Sequence, residues 1–175
     1  MKGIIFNTVE ETVGELYGPD TWDDLIETAG VSGSYTSLGT YPDEELFQIV
    51  GAACQATEMS ASEILVALGR KSFDKLVSHV PDLVERERGV FHFLSTVHDI
   101  IHVEVAKLVP EAQTPDVITK PIDDNTMEVS YTSRRRMGAL AKGLMLGAGD
   151  FFGEEIEIVS EATEANTTVF VIAKA

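Results

Sequence analysis

The chain has 175 residues, of which 44% are hydrophobic and 24% are charged, a balance typical of one globular domain with a substantial core. Its net charge of −16 arises from 29 acidic and 13 basic residues, which argues against nucleic acid and membrane surfaces as partners because both are anionic. The single cysteine, Cys54, cannot form an internal disulfide framework or a multi-cysteine zinc site, so we expect a small core residue in a cytoplasmic protein.

Helices are predicted for the first two thirds of the chain. Apolar residues recur at helical spacing from Ile5 to Leu16, and Gly18 is expected to end that helix. Asp20 is a candidate N-cap for a second helix, which should end at Gly30. The N-terminal part should therefore consist of short, capped helices.

Two further helix starts and one long helix follow. Pro42 occupies a position typical of a first helical turn, and Ser60 to Glu63 has the spacing of a capping box. An apolar-periodic segment from about Leu83 to Val109 predicts one long helix, with Pro110 as its stop. The helical part should thus end near residue 110.

The last third of the chain changes to a mixed pattern. Alternation of apolar and polar residues predicts strands at 116–119, 127–131, 156–158 and 168–173. A helix from Arg136 to Phe152 is predicted between the second and third strands, despite its four glycines. The expected fold is α+β: one domain, residues 1–175, with an N-terminal helical part and a C-terminal part containing a small antiparallel sheet.

His98 and His102 lie four residues apart, so on a continuous helix they share one apolar face. The segment HDIIH has the spacing of the zinc-peptidase motif HExxH, but Asp99 replaces the general-base glutamate and no third ligand follows at a known spacing. The pattern alone leaves three interpretations open, namely core histidines, a cofactor ligand and a zinc hydrolase.

Tyr131, Ser133 and Arg135 alternate along the predicted strand, so their side chains should share one face. All three donate hydrogen bonds, and arginine binds a carboxylate through two parallel bonds. We call these three residues the carboxylate clamp; the alternative is an ordinary strand with an exposed arginine. Arg134, Arg135 and Arg136 also form a basic cluster, which indicates either a specific anionic ligand or a solvated face.

The histidine and the clamp together match the needs of haem. Its iron takes an imidazole, and its two propionates take hydrogen-bond donors. A buried histidine on a helix and the carboxylate clamp would supply both. The combination therefore indicates haem more strongly than either feature does alone.

On these residues the chain resembles the H-NOX (haem nitric oxide/oxygen binding) family, which includes the haem domain of soluble guanylate cyclase. The resemblance covers nearly the whole chain. It rests on the opening MKGIIFN, on HDIIHVEVAKL followed by Pro115, on the Tyr131-Thr132-Ser133-Arg134-Arg135 motif and on MGALAKGLMLGAGDFFGEEIEI. It implies haem b (iron protoporphyrin IX) held between the helical part and the part with the sheet.

The resemblance also implies a set of haem contacts. His102 would be the protein ligand to the iron, and the carboxylate clamp would bind the propionates. Ile5 and Pro115 would press on the porphyrin and distort it. The gas-binding side would be lined by Ile5, Val9, Phe73 and Leu140.

Leu140 is expected to decide which gas binds. Family members that bind O₂ have a tyrosine at the matching position, whose hydroxyl stabilises bound O₂, whereas leucine has no donor. The resemblance thus implies that ferrous haem binds NO and CO and excludes O₂, with Ser72 as the one polar candidate on that side. NO bound opposite His102 would weaken the Fe–His bond and free the helix around it.

The output is expected through a separate protein, because the chain contains no kinase or cyclase region. Stand-alone bacterial family members usually act on a histidine kinase or a diguanylate cyclase, so one of these is the expected partner. Three alternatives stay open. They are an O₂-binding haem sensor, an enzyme (a zinc hydrolase using His98 and His102, or a haem peroxidase), and a non-haem module that uses the clamp for another carboxylate.

Overall fold

The computed structural model describes residues 1–109 and 111–175; Pro110, the predicted stop of the long helix, lies outside the described residues. Within them, no helix combines the length and the apolar character needed to cross a bilayer. The N-terminal part contains α1 (Gly3–Tyr17), α2 (Pro19–Ala29), α3 (Asp43–Thr57) and α4 (Ala61–Val77).

The ends of these helices follow from local chemistry. Gly18, with φ of 96°, ends α1 and precedes α2. Pro19 takes the first position of α2, so Asp20 lies in its first turn and the prediction that Asp20 is the N-cap is wrong. The capping box before α4 is confirmed: Ser60 Oγ accepts from the Glu63 amide, and the Ser60 amide donates to Glu63 Oε2 at 2.8 Å.

The predicted long helix is broken into several pieces. Two 3₁₀ turns (Pro81–Leu83 and Arg86–Arg88) precede α5 (Gly89–Thr96), a π-helical turn (Val97–Ile101) and α6 (His102–Leu108). The expectation of one helix from Leu83 to Val109 is therefore wrong. A π turn holds an extra residue, so the angular offset between residues on either side of it differs from that of an α-helix.

The C-terminal part is a four-stranded antiparallel sheet crossed by one helix, which confirms the α+β prediction. The strand order is β1–β2–β4–β3, and alternate residues of β2 and β4 are buried. The elements are β1 (Asp116–Pro121), β2 (Thr126–Thr132), α7 (Gly138–Phe152), β3 (Ile156–Glu164) and β4 (Thr167–Lys174).

Helices α4 and α7 pack backbone against backbone because glycines stand at their contacts. A Cβ added to Gly69 would lie 2.4 Å from the Leu140 carbonyl oxygen, and one added to Gly143 would lie 2.2 Å from the Val66 carbonyl oxygen. Any side chain at these positions would push the helices apart. Cys54 on α3 is a free thiol and only half-buried, so it is not the core residue that we expected.

Candidate functional site

His102 is the first residue of α6 and follows directly on the π turn. Its Nδ1 lies 3.0 Å from the carbonyl oxygen of Pro115. A carbonyl oxygen only accepts hydrogen bonds, so Nδ1 must carry the proton and donate it. The lone pair of a neutral ring is then on Nε2, which is the tautomer that binds a metal through Nε2.

The surroundings of His102 keep its imidazole neutral. Burial lowers its pKa, and the neighbouring His98 lowers it further. The Pro115 carbonyl and the Asp116 carboxylate act in the opposite direction, but the net shift is downward. At neutral pH the ring is therefore uncharged and able to act as a ligand.

The structure brings the carboxylate clamp together, but not on one strand as predicted. Strand β2 ends at Thr132, and Arg135 lies in the turn that leads to α7. Tyr131 and Ser133 are both buried, each with 8% of its surface exposed. Burial raises the pKa of Tyr131, while the Ser133 hydroxyl and the Arg135 charge pull it back. The phenol is thus a protonated donor at neutral pH.

Arg135 is held by two partners that the sequence pattern did not reveal. Its Nε donates to Asp43 Oδ2 at 2.8 Å, and its Nη1 donates to the Gln113 carbonyl oxygen at 2.8 Å. Asp43 also pairs with the Met1 ammonium group at 2.7 Å. Since 92 positions separate Asp43 from Arg135, no local pattern could have found this contact.

The charges around Asp43 keep its carboxylate ionised. Burial acts to raise the pKa of Asp43, but the Met1 ammonium and the Arg135 guanidinium outweigh burial and lower it. A cleft of about 670 Å³ opens beside this ion pair, and its lining includes Gln113, Ser133 and Arg135. Ser133 and Arg135 therefore line an open cleft, whereas Tyr131 is not among its lining residues.

The predicted gas-side residues lie on three helices. Ile5 is half-buried near the start of α1, and Val9 is buried one turn later. Leu140 is half-buried in the first turn of α7. Phe73 on α4 is buried, and its ring packs edge-on against Phe93 at a centroid distance of 5.5 Å. All four side chains are apolar, and their contact with a haem stays a prediction.

The hydroxyl of Ser72 is already used within the protein. Thr12 Oγ1 donates to the Thr8 carbonyl oxygen at 2.7 Å, which consumes its only proton. The 3.2 Å contact between Thr12 Oγ1 and Ser72 Oγ must therefore use the Ser72 proton. Both hydroxyls are buried, so Ser72 has no second proton to offer to a ligand.

The donor chemistry of these residues fits haem. A neutral imidazole with a free Nε2 suits the iron, and the phenol, hydroxyl and guanidinium of the clamp suit propionates. His98, the other half of the zinc-like motif, has its Nδ1 3.9 Å from Asp116 Oδ1. In the described part of the chain, no group of three or more His, Cys, Asp or Glu residues is arranged to hold a metal ion.

Comparison with known proteins gives a consistent result. Residues 2–160 match the family described as haem-NO-binding. An H-NOX protein from S. oneidensis in the Fe(II)NO ligation state is 32% identical, with a TM-score of 0.91 over 100% of this chain and 99% of that chain. An Fe(II) unliganded H-NOX protein from K. algicida is 28% identical, with a TM-score of 0.87 over 100% and 97% of the two chains.

One curated relative is much longer than this chain. Soluble guanylate cyclase 89Da from Drosophila melanogaster is 28% identical over 163 residues, which is 90% of this chain but 24% of the relative. The chain therefore spans about a quarter of the length of that relative.

Proposed function

Because this chain belongs to the haem-NO-binding (H-NOX) family, whose domains bind haem and sense gases, we propose that it binds NO and CO at ferrous haem b, excludes O₂ and regulates a separate signalling protein. The observation that carries the proposal is the neutral His102, with Nδ1 donated to the Pro115 carbonyl and Nε2 left as a ligand.

The residues of this chain would divide the binding of haem between them. When bound, haem supplies the iron atom that takes the gas. His102 Nε2 would ligate the iron, and the hydrogen bond from its Nδ1 to Pro115 would fix the ring plane and raise its basicity. Tyr131, Ser133 and Arg135 would hold the propionates, with Arg135 oriented by Asp43 and by the Gln113 carbonyl.

The exclusion of O₂ is proposed from the lack of a free donor among the predicted gas-side residues. Bound O₂ carries partial negative charge, and a donated hydrogen bond is worth about 1–2 kcal/mol to it. Leu140 has no donor, and the Ser72 proton is engaged by Thr12. NO depends much less on such a donor, so the same surroundings favour NO over O₂.

The signal is proposed to start at His102, which would hold the iron and whose release would free α6 to move. Helix α6 is suited to move, because its described residues are half-buried or exposed and none is fully buried. Val103 and Leu108 of α6 are 45% and 64% exposed. A histidine kinase or a diguanylate cyclase is the proposed receiver of that movement.

Visible absorption of the purified protein tests the proposal. The reduced protein is recorded without oxygen, then in air, then with NO. We expect a histidine-ligated ferrous haem, no O₂ complex in air, and a five-coordinate complex with NO. A stable O₂ complex would favour the alternative of an O₂ sensor.

The same spectra bear on the remaining alternatives. If no haem spectrum forms even after reconstitution, the proposal fails. A hydrolytic activity that a chelator abolishes would then support zinc at His98 and His102.

A further inference from the structure

The carboxylate of Glu154 joins three elements of the fold. Glu154 follows α7, and its Oε1 accepts a hydrogen bond from the Val90 amide at 2.9 Å. Its Oε2 pairs with Lys174 Nζ of β4 at 2.5 Å. The Val90 amide is one of the unpaired donors in the first turn of α5. Glu154 therefore caps α5 from a distant part of the chain.

The residues around the hydrogen bond between Val90 and Glu154 leave room for the Glu154 carboxylate. Gly89, at the start of α5, has φ of 79°, and a Cβ added there would lie 2.4 Å from Glu154 Oε1. Glycine suits the positive φ, which other residues rarely adopt, and a Cβ at this position would displace the Glu154 carboxylate from its present place. Arg88, which precedes α5, makes no side-chain cap, and Lys174 Nζ also lies 4.8 Å from the Phe91 ring centroid.

The capped helix leads directly to the proposed iron ligand. From Val90 the chain runs through α5 and the π turn to His102, about 18 Å away at the 1.5 Å rise of a helix. Helix α5 has three buried residues, whereas α6, as far as the structure describes it, has none. The end of the segment nearest Glu154 thus has more buried contacts than the end that carries His102, where the described contacts include the hydrogen bond to Pro115 and the packing of Ile101 and Val105 against the core.

From this arrangement we infer that Glu154 is a positioning residue for His102. It fixes the start of α5 to β4 through Lys174, so that movement after ligand binding is confined to the π turn and α6. The inference rests on the proposed role of His102 as iron ligand. Glu154 touches neither the haem nor the gas, and acts only through the direction and stiffness of the helix.

The test compares variants by hydrogen exchange and by resonance Raman spectroscopy. Glu154→Ala removes the acceptor, and Glu154→Gln keeps an acceptor but loses the charge opposite Lys174. Glu157→Ala, an exposed glutamate on β3, is the matched control. In the haem-free protein, Glu154→Ala should speed exchange of the Val90 amide roughly fivefold to tenfold, as expected for the loss of a helix cap.

In the ferrous protein, Glu154→Ala should lower or broaden the Fe–His stretching band, because the direction of the helix that carries His102 would be less well defined. Glu154→Gln should give a smaller change in the same direction, and Glu157→Ala none. An Fe–His band identical to that of the unmodified protein, despite faster exchange at Val90, would overturn the inference, and so would unchanged exchange. Failure of the unmodified protein to bind haem would overturn the proposed function instead.

Discussion

The helices on the two sides of the proposed site are built in opposite ways. On the gas side, α4 and α7 are 17 and 15 residues long and touch through their backbones at Gly69 and Gly143. On the histidine side, the segment is divided into α5 of eight residues, a π turn of five and α6 of seven. We call the pair α4 and α7 the rigid wall, because their backbones are in direct contact. The segment from α5 to α6 is instead interrupted by the π turn.

This difference indicates where a signal can arise. Interlocked backbones cannot shift by small steps without opening the core, so α4 and α7 should stay fixed when a ligand binds. A segment with few buried contacts opens at a lower free energy. The tightly packed pair α4 and α7 thus contrasts with the segmented chain around His102, and the second is where the proposed movement would arise.

The largest effect, on the visible absorption of the haem, is expected from substitution of His102. His102→Gly should abolish the spectrum of histidine-ligated ferrous haem, because it removes the Nε2 ligand, and added imidazole should restore much of it. His98→Gly is the matched control, since the His98 ring lies near Asp116 and is not the proposed ligand. Visible absorption measures both variants. Loss of the spectrum in His98→Gly but not in His102→Gly would show that the ligand was assigned to the wrong histidine.

A large loss of stability is expected at the rigid wall. Gly143→Ala should reduce the free energy of unfolding by about 1–3 kcal/mol, because its Cβ would meet the Val66 carbonyl oxygen at 2.2 Å. Gly14→Ala is the control: within the described residues nothing lies within 4 Å of an added Cβ, so it should be neutral or stabilise α1 by about 0.5–1 kcal/mol. Thermal unfolding of the two variants checks this; equal melting temperatures would contradict the tight wall.

The sequence predicted those parts of the molecule that local chemistry determines. The capping box at Ser60, the stop at Gly18 and the alternation along β2 depend on near neighbours, and all three are present. The break at Gly89 could not be predicted in the same way. The helix start there is accompanied by the hydrogen bond from the Val90 amide to Glu154, which is 64 positions away in the sequence.

In the candidate site too, local features could be predicted from the sequence and long-range contacts could not. The residue types of the clamp were visible in the sequence, whereas their geometry was not. Arg135 leaves the strand because Asp43 and the Gln113 carbonyl hold it in the turn. The π turn before His102 has no residue pattern of its own that distinguishes it from an α-helix. Long-range contacts therefore account for what the sequence pattern missed.

A moderate effect is expected where the N-terminal and C-terminal parts meet. Asp43→Asn should cost about 1 kcal/mol at pH 7, since the Asp43 side chain is 30% exposed and solvent weakens its pairs with Met1 and Arg135. The lowered pKa of Asp43 means that this stability is fully present above the carboxyl's unfolded pKa. It is lost as the pH falls through the lower folded value.

Chemical denaturation at pH 7 and in acid measures the difference between Asp43→Asn and the unmodified protein. The two proteins should converge in acid, and Asp23→Asn, an exposed aspartate on α2, should match the unmodified protein at both pH values. If the difference persisted undiminished in acid, the ionised carboxylate would not be its cause.

The smallest effect is expected at the surface of the rigid wall. Arg70 Nε and Nη2 each donate to an Asp150 oxygen at 2.6 Å, which links α4 to α7. The two side chains are 47% and 54% exposed, so water competes for both charges and the pair should contribute about 0.2–1 kcal/mol. A double-mutant cycle with Arg70→Ala and Asp150→Ala, measured by chemical denaturation, gives the coupling energy directly. A coupling energy as large as the loss from Gly143→Ala would mean that the surface ion pair, rather than the glycine contacts between the backbones, holds α4 against α7.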